Sequence, residues 1–482
     1  MKTYLAVFLG CALLSLVVTP IVILLAQRIK AVDSPDVRKV HSNPIPRIGG
    51  VAIFISTMLI VLAVLFLQNR VGDDFRKIQA SLSVLLAAAT FIFLIGLIDD
   101  LKGLRALLKL MAQLFAAIII CVVGIRIQSV TVFDGLTINF SWFSWPITIL
   151  WIVGITNAVN LSDGLDGLAA GISAITCGVI ALLAVYSGQT VLAVLMLALL
   201  GSLSGFLVFN FNPARVFMGD CGSLFLGFVI ASVSVLCSMK STALVGLALP
   251  MLALGIPIFD TLFSMLRRFL ERRSIFSPDR SHFHHRLVDM GLKQRHVVLL
   301  IYALTALIAG LGMFMVLTRD IRSLAILSCI LLLITFIFRV IGSVRLHETI
   351  TGLQRKFEFV NQNRHEQMNF EQAQLFFRSA RTFNEWWQAA CEAAKRMDFA
   401  WISLKTTDKD GTIRTEVWRP GNFMPPEKSN VIIMDVPLCN YDNTRMMRFE
   451  IAILVNGSLE SAGHRATLFN RLVEEHNAIG VL

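Results

Sequence analysis

Residues 156–171 read TNAVNLSDGLDGLAAG, a polar stretch inside a chain that is otherwise strongly apolar. It sets two asparagines and two aspartates directly against a hydrophobic run. An ionisable side chain in hydrocarbon costs about 2.5–3.5 kcal/mol. These polar residues must therefore lie at the water boundary or line a polar cavity, and we interpret the stretch as part of an active site.

The composition around this stretch is typical of a polytopic membrane protein. Of the 482 residues, 56% are hydrophobic and 16% are charged, whereas soluble proteins carry about 25% charged residues. The formal net charge of +11 could indicate nucleic-acid binding, but basic loops of a membrane protein set its orientation and face anionic lipid. We therefore predict contact with membrane lipid and no nucleic-acid partner. The cysteines form no Cys-x-x-Cys pair, so we expect neither a disulfide framework nor a cysteine metal site.

Apolar segments close to the roughly 20 residues of a spanning helix predict an all-α polytopic membrane protein with about eleven transmembrane helices. The segments cover residues 3–26, 48–68, 79–98, 106–125, 144–161, 168–187, 190–210, 223–239, 243–265, 298–317 and 323–341. Basic residues concentrate in the loops after the odd-numbered segments. The positive-inside rule then puts those loops and the C-terminus in the cytoplasm and the N-terminus outside. The run VTVFDGLTINF, residues 130–140, predicts a small external hairpin because Asp-Gly stands between alternating apolar residues.

The chain becomes polar after the last apolar segment. We divide it into a membrane domain, residues 1–345, and a cytoplasmic helical linker with a small α+β domain, residues 346–482. Helical patterns at both ends of the α+β domain enclose four strand-like runs. The runs are AWISLKTT, TIRTEVWR, VIIMDVPL and RMMRFEIAILV. The order of elements resembles that of GAF-like sensor domains.

Polar motifs gather on the loops predicted to be cytoplasmic. They are DSPDVRKVHSNPIPRIGG at 33–50, LIDDLKGL at 97–104, the opening stretch, NFNPARVFMGDCGS at 210–223 and RRSIFSPDRSHFHHRL at 272–287. Scattered solvation of helix ends would not select one face of the membrane so consistently. We interpret the motifs as one shared site.

Carboxylates in these motifs are typical of a site for a hard cation. Asp99 and Asp100 adjoin at a predicted helix end, which for an isolated pair would be a solvated terminus. Together with Asp220 in FMGDCGS they favour Mg²⁺, which prefers carboxylate and phosphate oxygens. Asp163 and Asp166 each precede a glycine, and a simple Asp-Gly turn is the alternative interpretation.

The histidines of SHFHHRL allow two interpretations. His282, His284 and His285 could bind zinc, but their spacing is crowded and no cysteine stands nearby. Together with Arg280 they fit phosphate binding better, while a basic loop on the anionic inner leaflet stays open as an alternative. The chain contains no Walker A loop, G-x-G-x-x-G or G-x-S-x-G motif. The residues alone therefore favour metal-assisted phosphoryl transfer at the lipid boundary.

In this order, LIDDLKGL, NAVNLSDGLDGLAAG, NFNPARVFMGDCGS and SHFHHRL resemble the motifs of the polyprenyl-phosphate N-acetylhexosamine-1-phosphate transferases, over residues 1–345. SPDRSHFHHRLVDMGL is similar to the branch that makes O-antigen, enterobacterial common antigen or teichoic-acid linkers. The resemblance implies that a UDP-N-acetylhexosamine, first of all UDP-N-acetylglucosamine, donates its sugar 1-phosphate to undecaprenyl phosphate and releases UMP. Alternatives are donor use like that of phospho-N-acetylmuramoyl-pentapeptide transferase, a non-catalytic lipid-phosphate carrier and a membrane sensor.

The resemblance also implies roles for individual residues. Asp220 would bind Mg²⁺, with Mn²⁺ as an alternative ion. Asp99 would be the base, and Asp100 would support the metal or the substrate. The remaining predicted site residues bind substrate: Asn157, Asn160, Asp163, Asp166, Lys109, Asn210, Arg280, His282, His284, His285 and Arg47. Cys221 stands where family members usually carry a smaller residue, and we expect it to be tolerated.

Family analogy further implies a homodimer in the bacterial cytoplasmic (inner) membrane, with the site facing the cytoplasm. It implies nothing about the C-terminal extension. That domain would bind pathway enzymes or a regulator, or would only stabilise an oligomer.

Overall fold

The computed structural model describes most of the chain. The described residues are 2–33, 44–68, 70–133, 136–240, 243–270, 282–318, 322–340, 367–407, 412–421, 431–438, 446–455 and 459–476. They divide into two compact units, Met1–Thr349 and Ile350–Leu482.

Helices dominate the described part of the first unit. They are α1 (Lys2–Arg28), α2 (Gly50–Leu65), α3 (Arg70–Lys77), α4 (Gln79–Lys102), α5 (Ala106–Val122), α6 (Ser144–Leu161), α7 (Leu168–Tyr186), α8 (Thr190–Asn210), α9 (Gly219–Lys240), α10 (Ala243–Ala253), α11 (Gly255–Leu270), α12 (Phe283–Asp289), α13 (Gln294–Thr318) and α14 (Arg322–Val340). Short antiparallel pairs join β1 (Val32–Asp33) to β2 (Ile45–Pro46) and β3 (Ser129–Phe133) to β4 (Leu136–Asn139). The predicted hairpin is therefore confirmed as a hairpin.

Within the described residues, seven helices are long and apolar enough to cross a membrane, or up to nine if each of two bent pairs is one span. Residues 247–269 form one of these pairs, bent by 75° between α10 and α11. Ala106–Val122 and Ser328–Ile337 are apolar but shorter. The protein is thus a multi-pass membrane protein, while the predicted number of about eleven helices is not confirmed.

The centre of the first unit is α9, whose candidate span Gly219–Met239 is 94% buried. Glycines let neighbouring helices approach it closely. A Cβ added at Gly96 of α4 would lie 2.6 Å from the Asp220 carbonyl oxygen, and one at Gly227 would lie 2.7 Å from the Cα of Thr156 in α6. Both distances are shorter than real Cβ contacts. Small residues therefore bring the polar ends of α4 and α6 against α9.

The segment before α2 is tied to the segment before α9 by backbone hydrogen bonds. The Phe217 amide donates to the Pro46 carbonyl at 2.7 Å, and the Gly49 amide donates to the Phe217 carbonyl at 2.9 Å. The Gly50 amide then donates to the Met218 carbonyl at 2.7 Å. Two motifs far apart in sequence are thereby fixed to each other.

The second unit is an α+β domain. It contains α15 (367–379), α16 (Phe383–Arg396) and α17 (Leu459–Glu475) and an antiparallel sheet of order β6-β5-β8-β7. The strands are β5 (Phe399–Thr407), β6 (Ile413–Trp418), β7 (Val431–Leu438) and β8 (Met446–Leu454). The predicted strand-like runs are confirmed. Thr382 and Glu385 form a capping box at the start of α16, a signal that can be read in the sequence.

Candidate active site

Three predicted residues from three helices meet at one end of the first unit. The Lys109 ammonium of α5 lies 2.8 Å from Asp99 Oδ2 of α4 and 2.6 Å from Asp220 Oδ2 of α9. The three side chains are 13–26% exposed. Asp99 lies within reach of Lys109 because α4 ends three residues later, at Lys102. The chain turns there at Gly103, whose φ is 70°. One cation thus bridges the two carboxylates predicted to be base and metal ligand.

Asp100 is directed at the backbone of α9. Its Oδ1 accepts a hydrogen bond from the Asp220 amide and its Oδ2 one from the Cys221 amide, both at 2.9 Å. The carboxylate therefore satisfies amides at the start of the helix, which lack intrahelical partners. Gly219 is required here, because its φ is 73° and a Cβ would lie 2.7 Å from Asp100 Oδ2. The structure gives Asp100 a positioning role, and its predicted contact with a metal stays a prediction.

Asp163 lies in the turn between α6 and α7 and is half-buried. Burial, together with the negative charges of Asp220, Asp100 and Asp166, raises its pKa to about 8. The carboxyl groups of Asp163, Asp220, Asp100 and Asp166 thus lie near enough for their charges to interact, and such an acidic surrounding suits a divalent cation. Among the described residues no three His, Cys, Asp or Glu side chains converge as a preformed metal cage. The residues still fit Mg²⁺, which usually keeps several waters and binds one or two carboxylates together with substrate phosphates.

The two asparagines of the opening stretch connect helices. Asn157 Nδ2 donates to Gln113 Oε1 at 2.6 Å, joining α6 to α5. Asn160 Oδ1 accepts from the Ser223 hydroxyl at 3.0 Å, joining α6 to α9. Gln113 lies one helical turn from Lys109. The spacing of Gln113 and Lys109 can be read from the sequence, but the residues that they contact on other helices cannot.

Asp166 fixes the loop before α9. Its Oδ2 accepts from Asn212 Nδ2 at 2.9 Å and from the Ala214 amide at 3.1 Å. Asn210, also predicted to bind substrate, donates from Nδ2 to the Val216 carbonyl at 2.8 Å. Its buried Oδ1 has no hydrogen-bond partner among the described residues. Asp166 therefore fixes the geometry of the loop before α9, whereas Oδ1 of Asn210 is an acceptor that lacks a partner among the described residues.

The histidine motif is held by Asp260 of α11, a residue that is not among those predicted from the sequence. Asp260 Oδ2 lies 3.0 Å from His282 Nδ1, and its Oδ1 accepts from the Phe283 amide at 2.8 Å. The His282 and His284 rings stack with centroids 5.7 Å apart, and the His284 and His285 centroids are 4.5 Å apart. A lone carboxylate in the run LGIPIFDTLFSML was the available signal, because such a group in an apolar segment is expensive.

His284 connects this motif to the opening stretch. Burial is the main reason why its pKa is lowered to about 3; Asp260 acts in the opposite direction, and His285 and His282 contribute to the lowering. The ring is therefore neutral at physiological pH. A Cβ at Gly164 would lie 2.5 Å from His284 Nε2. The turn SDGLDG thus packs against the histidine motif.

Arg47 lies in the segment that pairs with residues 217–218, and its backbone amide donates to the Ala31 carbonyl at 3.1 Å. Its buried Nε has no hydrogen-bond partner among the described residues. Arg280 lies outside the described residues. The structure therefore brings together residues from α4, α5, α9 and the 162–167 turn, with the histidine motif against that turn.

Comparison with known proteins matches the sequence of this chain to a family. Residues 82–238 match the model described as glycosyl transferase family 4. A probable undecaprenyl-phosphate N-acetylglucosaminyl 1-phosphate transferase of Bacillus subtilis (strain 168) is 44% identical over 298 residues, covering 61% of this chain and 80% of the relative.

Two further relatives are more distant. A decaprenyl-phosphate N-acetylglucosaminephosphotransferase of Mycobacterium leprae (strain TN) is 35% identical, covering 62% of this chain and 81% of the relative. A phospho-N-acetylmuramoyl-pentapeptide-transferase of Bacillus thuringiensis (strain Al Hakam) is 32% identical, covering 56% of this chain and 83% of the relative. With its motifs and the family match in agreement, this chain belongs to glycosyl transferase family 4, among the polyprenyl-phosphate N-acetylhexosamine-1-phosphate transferases.

Proposed function

We propose that the protein transfers N-acetylglucosamine 1-phosphate from UDP-N-acetylglucosamine to undecaprenyl phosphate, releasing UMP and leaving a lipid-linked pyrophosphoryl sugar. The observation that carries this proposal is the cluster of Asp99, Lys109 and Asp220 at one end of the helices. The identities favour this donor over a muramoyl-pentapeptide donor, since the N-acetylglucosaminyl relative is 44% identical and the muramoyl-pentapeptide relative 32%.

In the proposed reaction an oxygen of the lipid phosphate attacks the phosphorus that carries the sugar. A new P–O bond forms while the bond from that phosphorus to the bridging oxygen breaks, and UMP leaves with the bridging oxygen and its electron pair. Such transfers depend on positioning and charge neutralisation. Asp99 would accept the proton of any lipid phosphate that arrives as a monoanion. Lys109 would orient both carboxylates through the single ammonium that they share.

Asp220 would hold Mg²⁺, with Asp163 near enough for their charges to interact. When bound, the ion would neutralise charge on the donor pyrophosphate. Asp100 would fix the Asp220 backbone through its two amide contacts. His282, with Nδ1 engaged by Asp260, would present Nε2 to a phosphate or sugar group.

The polar cluster at one end argues against the carrier alternative, because carriers usually bind their substrate near the bilayer midplane. We further propose a cytoplasmic site in the inner membrane with the N-terminus outside, on the basis of the basic loops. We also propose that the protein is a homodimer and that the second unit docks pathway enzymes or regulates the transferase. Removing residues 365–482 and measuring both activity and assembly separates regulation from oligomer stabilisation.

The test of the reaction is UMP release by purified protein with undecaprenyl phosphate, Mg²⁺ and a panel of UDP-N-acetylhexosamines that includes UDP-N-acetylmuramoyl-pentapeptide. Release with UDP-N-acetylglucosamine, dependent on lipid and Mg²⁺ and lost in Asp220→Asn, is expected. Asp73→Asn is the matched control, because that side chain is 60% exposed and forms a local ion pair with Arg76. Absence of release across the panel from folded protein would contradict the proposal.

A further inference from the structure

Two cavities adjoin at the end of α5 and α6 that lies away from the aspartates. The first has a volume of about 480 Å³ and is lined by Arg126, Gln128, Ser141, Trp142, Ser144 and Trp145. The second has a volume of about 590 Å³ and is lined by Trp142, Phe143, Trp145 and Pro146. The two share Trp142 and Trp145. A polar space and an apolar space therefore meet at a pair of indole rings.

These cavities are remote from the proposed active site. Asn160 lies near the C-terminal end of α6 and Ser144 begins the helix, so the 1.5 Å rise per residue separates them by about 24 Å. Arg126 likewise follows the end of α5, whereas Lys109 lies in its first turn. The two cavities therefore belong to the opposite membrane surface.

Arg126 supplies the positive charge of the polar cavity. Its guanidinium carbon lies 4.8 Å from the centroid of the Trp145 ring, within the range of a cation–π contact. Its buried Nε has no hydrogen-bond partner among the described residues. A buried donor without a partner is costly, and the half-buried Arg126 side chain lines the cavity, which favours an acceptor supplied there from outside the chain. Gln128, Ser141 and Ser144 add uncharged donors around the same space.

The apolar cavity opens toward the surroundings of the protein. Trp142 is 86% exposed and Phe143 is 71% exposed. An interfacial aromatic belt explains exposed aromatic rings at this depth. It does not explain an arginine donor left without a partner beside them. The combination fits an amphiphile whose head accepts hydrogen bonds and whose tail is apolar.

We propose that these cavities bind one anionic phospholipid of the surrounding membrane. Its phosphate accepts hydrogen bonds from Arg126, since guanidinium groups match phosphate oxygens. An acyl chain fills the cavity lined by Phe143 and Pro146. This inference is independent of the proposed transferase activity, because it concerns the other surface and is measured by counting bound lipid.

The test is native mass spectrometry of the full-length protein in detergent, titrated with phosphatidylglycerol or with phosphatidylcholine. We expect the wild-type protein to retain one phosphatidylglycerol more firmly than phosphatidylcholine. Arg126→Gln should weaken that binding about tenfold, as expected for loss of a charge-assisted hydrogen bond. Arg70→Gln, which neutralises an exposed arginine of α3, is the matched control and should bind as the wild type does.

Trp142→Ala provides a second variant, because its highly exposed side chain is not needed for the core. It should also lose the retained lipid while leaving the thermal unfolding midpoint unchanged. Equal retention in the wild type, Arg126→Gln and Trp142→Ala would overturn the proposal, as would equal retention of the two lipids. Displacement of the lipid by millimolar inorganic phosphate would also overturn it, since that result identifies a site for free phosphate.

Discussion

The Asp100 carboxylate accepts the Asp220 amide hydrogen bond at 2.9 Å, so the residue next to the proposed base holds the backbone of the proposed metal ligand. The contact crosses from α4 to α9. The positions of Asp99 and Asp100 therefore depend on the start of α9.

Asp100→Asn should therefore damage both stability and activity. The amide side chain keeps one acceptor oxygen and turns a donor toward the second backbone amide, which leaves a buried donor unsatisfied. We expect a loss of about 1–3 kcal/mol in the free energy of unfolding. Thermal unfolding together with UMP release measures both effects. Asp73→Asn, at an exposed local ion pair, is the control, and an unchanged unfolding midpoint in Asp100→Asn would contradict the positioning role.

Lys109→Gln should separate the two carboxylates that share its ammonium. Without the cation, Asp99 and Asp220 repel each other, and activity should fall by about 10²-fold, as when a group that stabilises the transition state is removed. Lys109→Arg should restore little, because both contacts are made by one Nζ atom. The measurement is UMP release over a range of Mg²⁺ concentrations. Full activity in Lys109→Gln would show that the bridge has no catalytic importance.

Stability should fall as the pH is lowered through the usual pKa of histidine, in part because of His284. The pKa of His284 is lowered from 6.5 to about 3 in the folded protein, mainly by burial. Below pH 6.5 the unfolded chain binds a proton that the folded chain refuses, so the free energy of unfolding decreases by up to about 1.4 kcal/mol per pH unit. The unfolding midpoint between pH 7.5 and 5 should fall less steeply in His284→Gln. Identical slopes would refute this assignment.

Gly164→Ala should disturb the contact between the opening stretch and the histidine motif. The new Cβ would lie 2.5 Å from His284 Nε2, so the turn or the ring must move. Overpacking of this kind typically costs about 1–3 kcal/mol, and activity should fall with it. Gly154→Ala makes the same change where nothing lies within 4 Å and should be tolerated. UMP release and unfolding midpoints for both variants give the comparison.

Much of this site could be predicted from the sequence because its residues stand in compact polar motifs. Asp99 and Asp220 were predicted as partners, and the structure brings them to one ammonium. The pairing of Asn157 with Gln113 could not be predicted, since it depends on how two helices pack. Asp260 was missed because its apolar neighbours made the segment resemble an ordinary span.

The number of membrane-spanning helices was also hard to predict. Hydropathy locates apolar segments but does not show where a helix bends. The 75° break between α10 and α11 follows a helix that contains Pro250 and precedes Gly255. The strands of the second unit, in contrast, follow local alternation and were predicted closely.

The backbone pairing between residues 46–50 and 217–218 joins segments about 170 residues apart in sequence. At about 5–20 residues per second, the ribosome needs roughly 10–30 s to make the intervening chain. Asp100 precedes the two amides that it binds by 120 and 121 residues, so its carboxylate exists without them during roughly 6–24 s of synthesis. The nascent chain must keep this carboxylate hydrated or protonated until α9 emerges, so the late arrival of one helix sets the moment at which the site assembles.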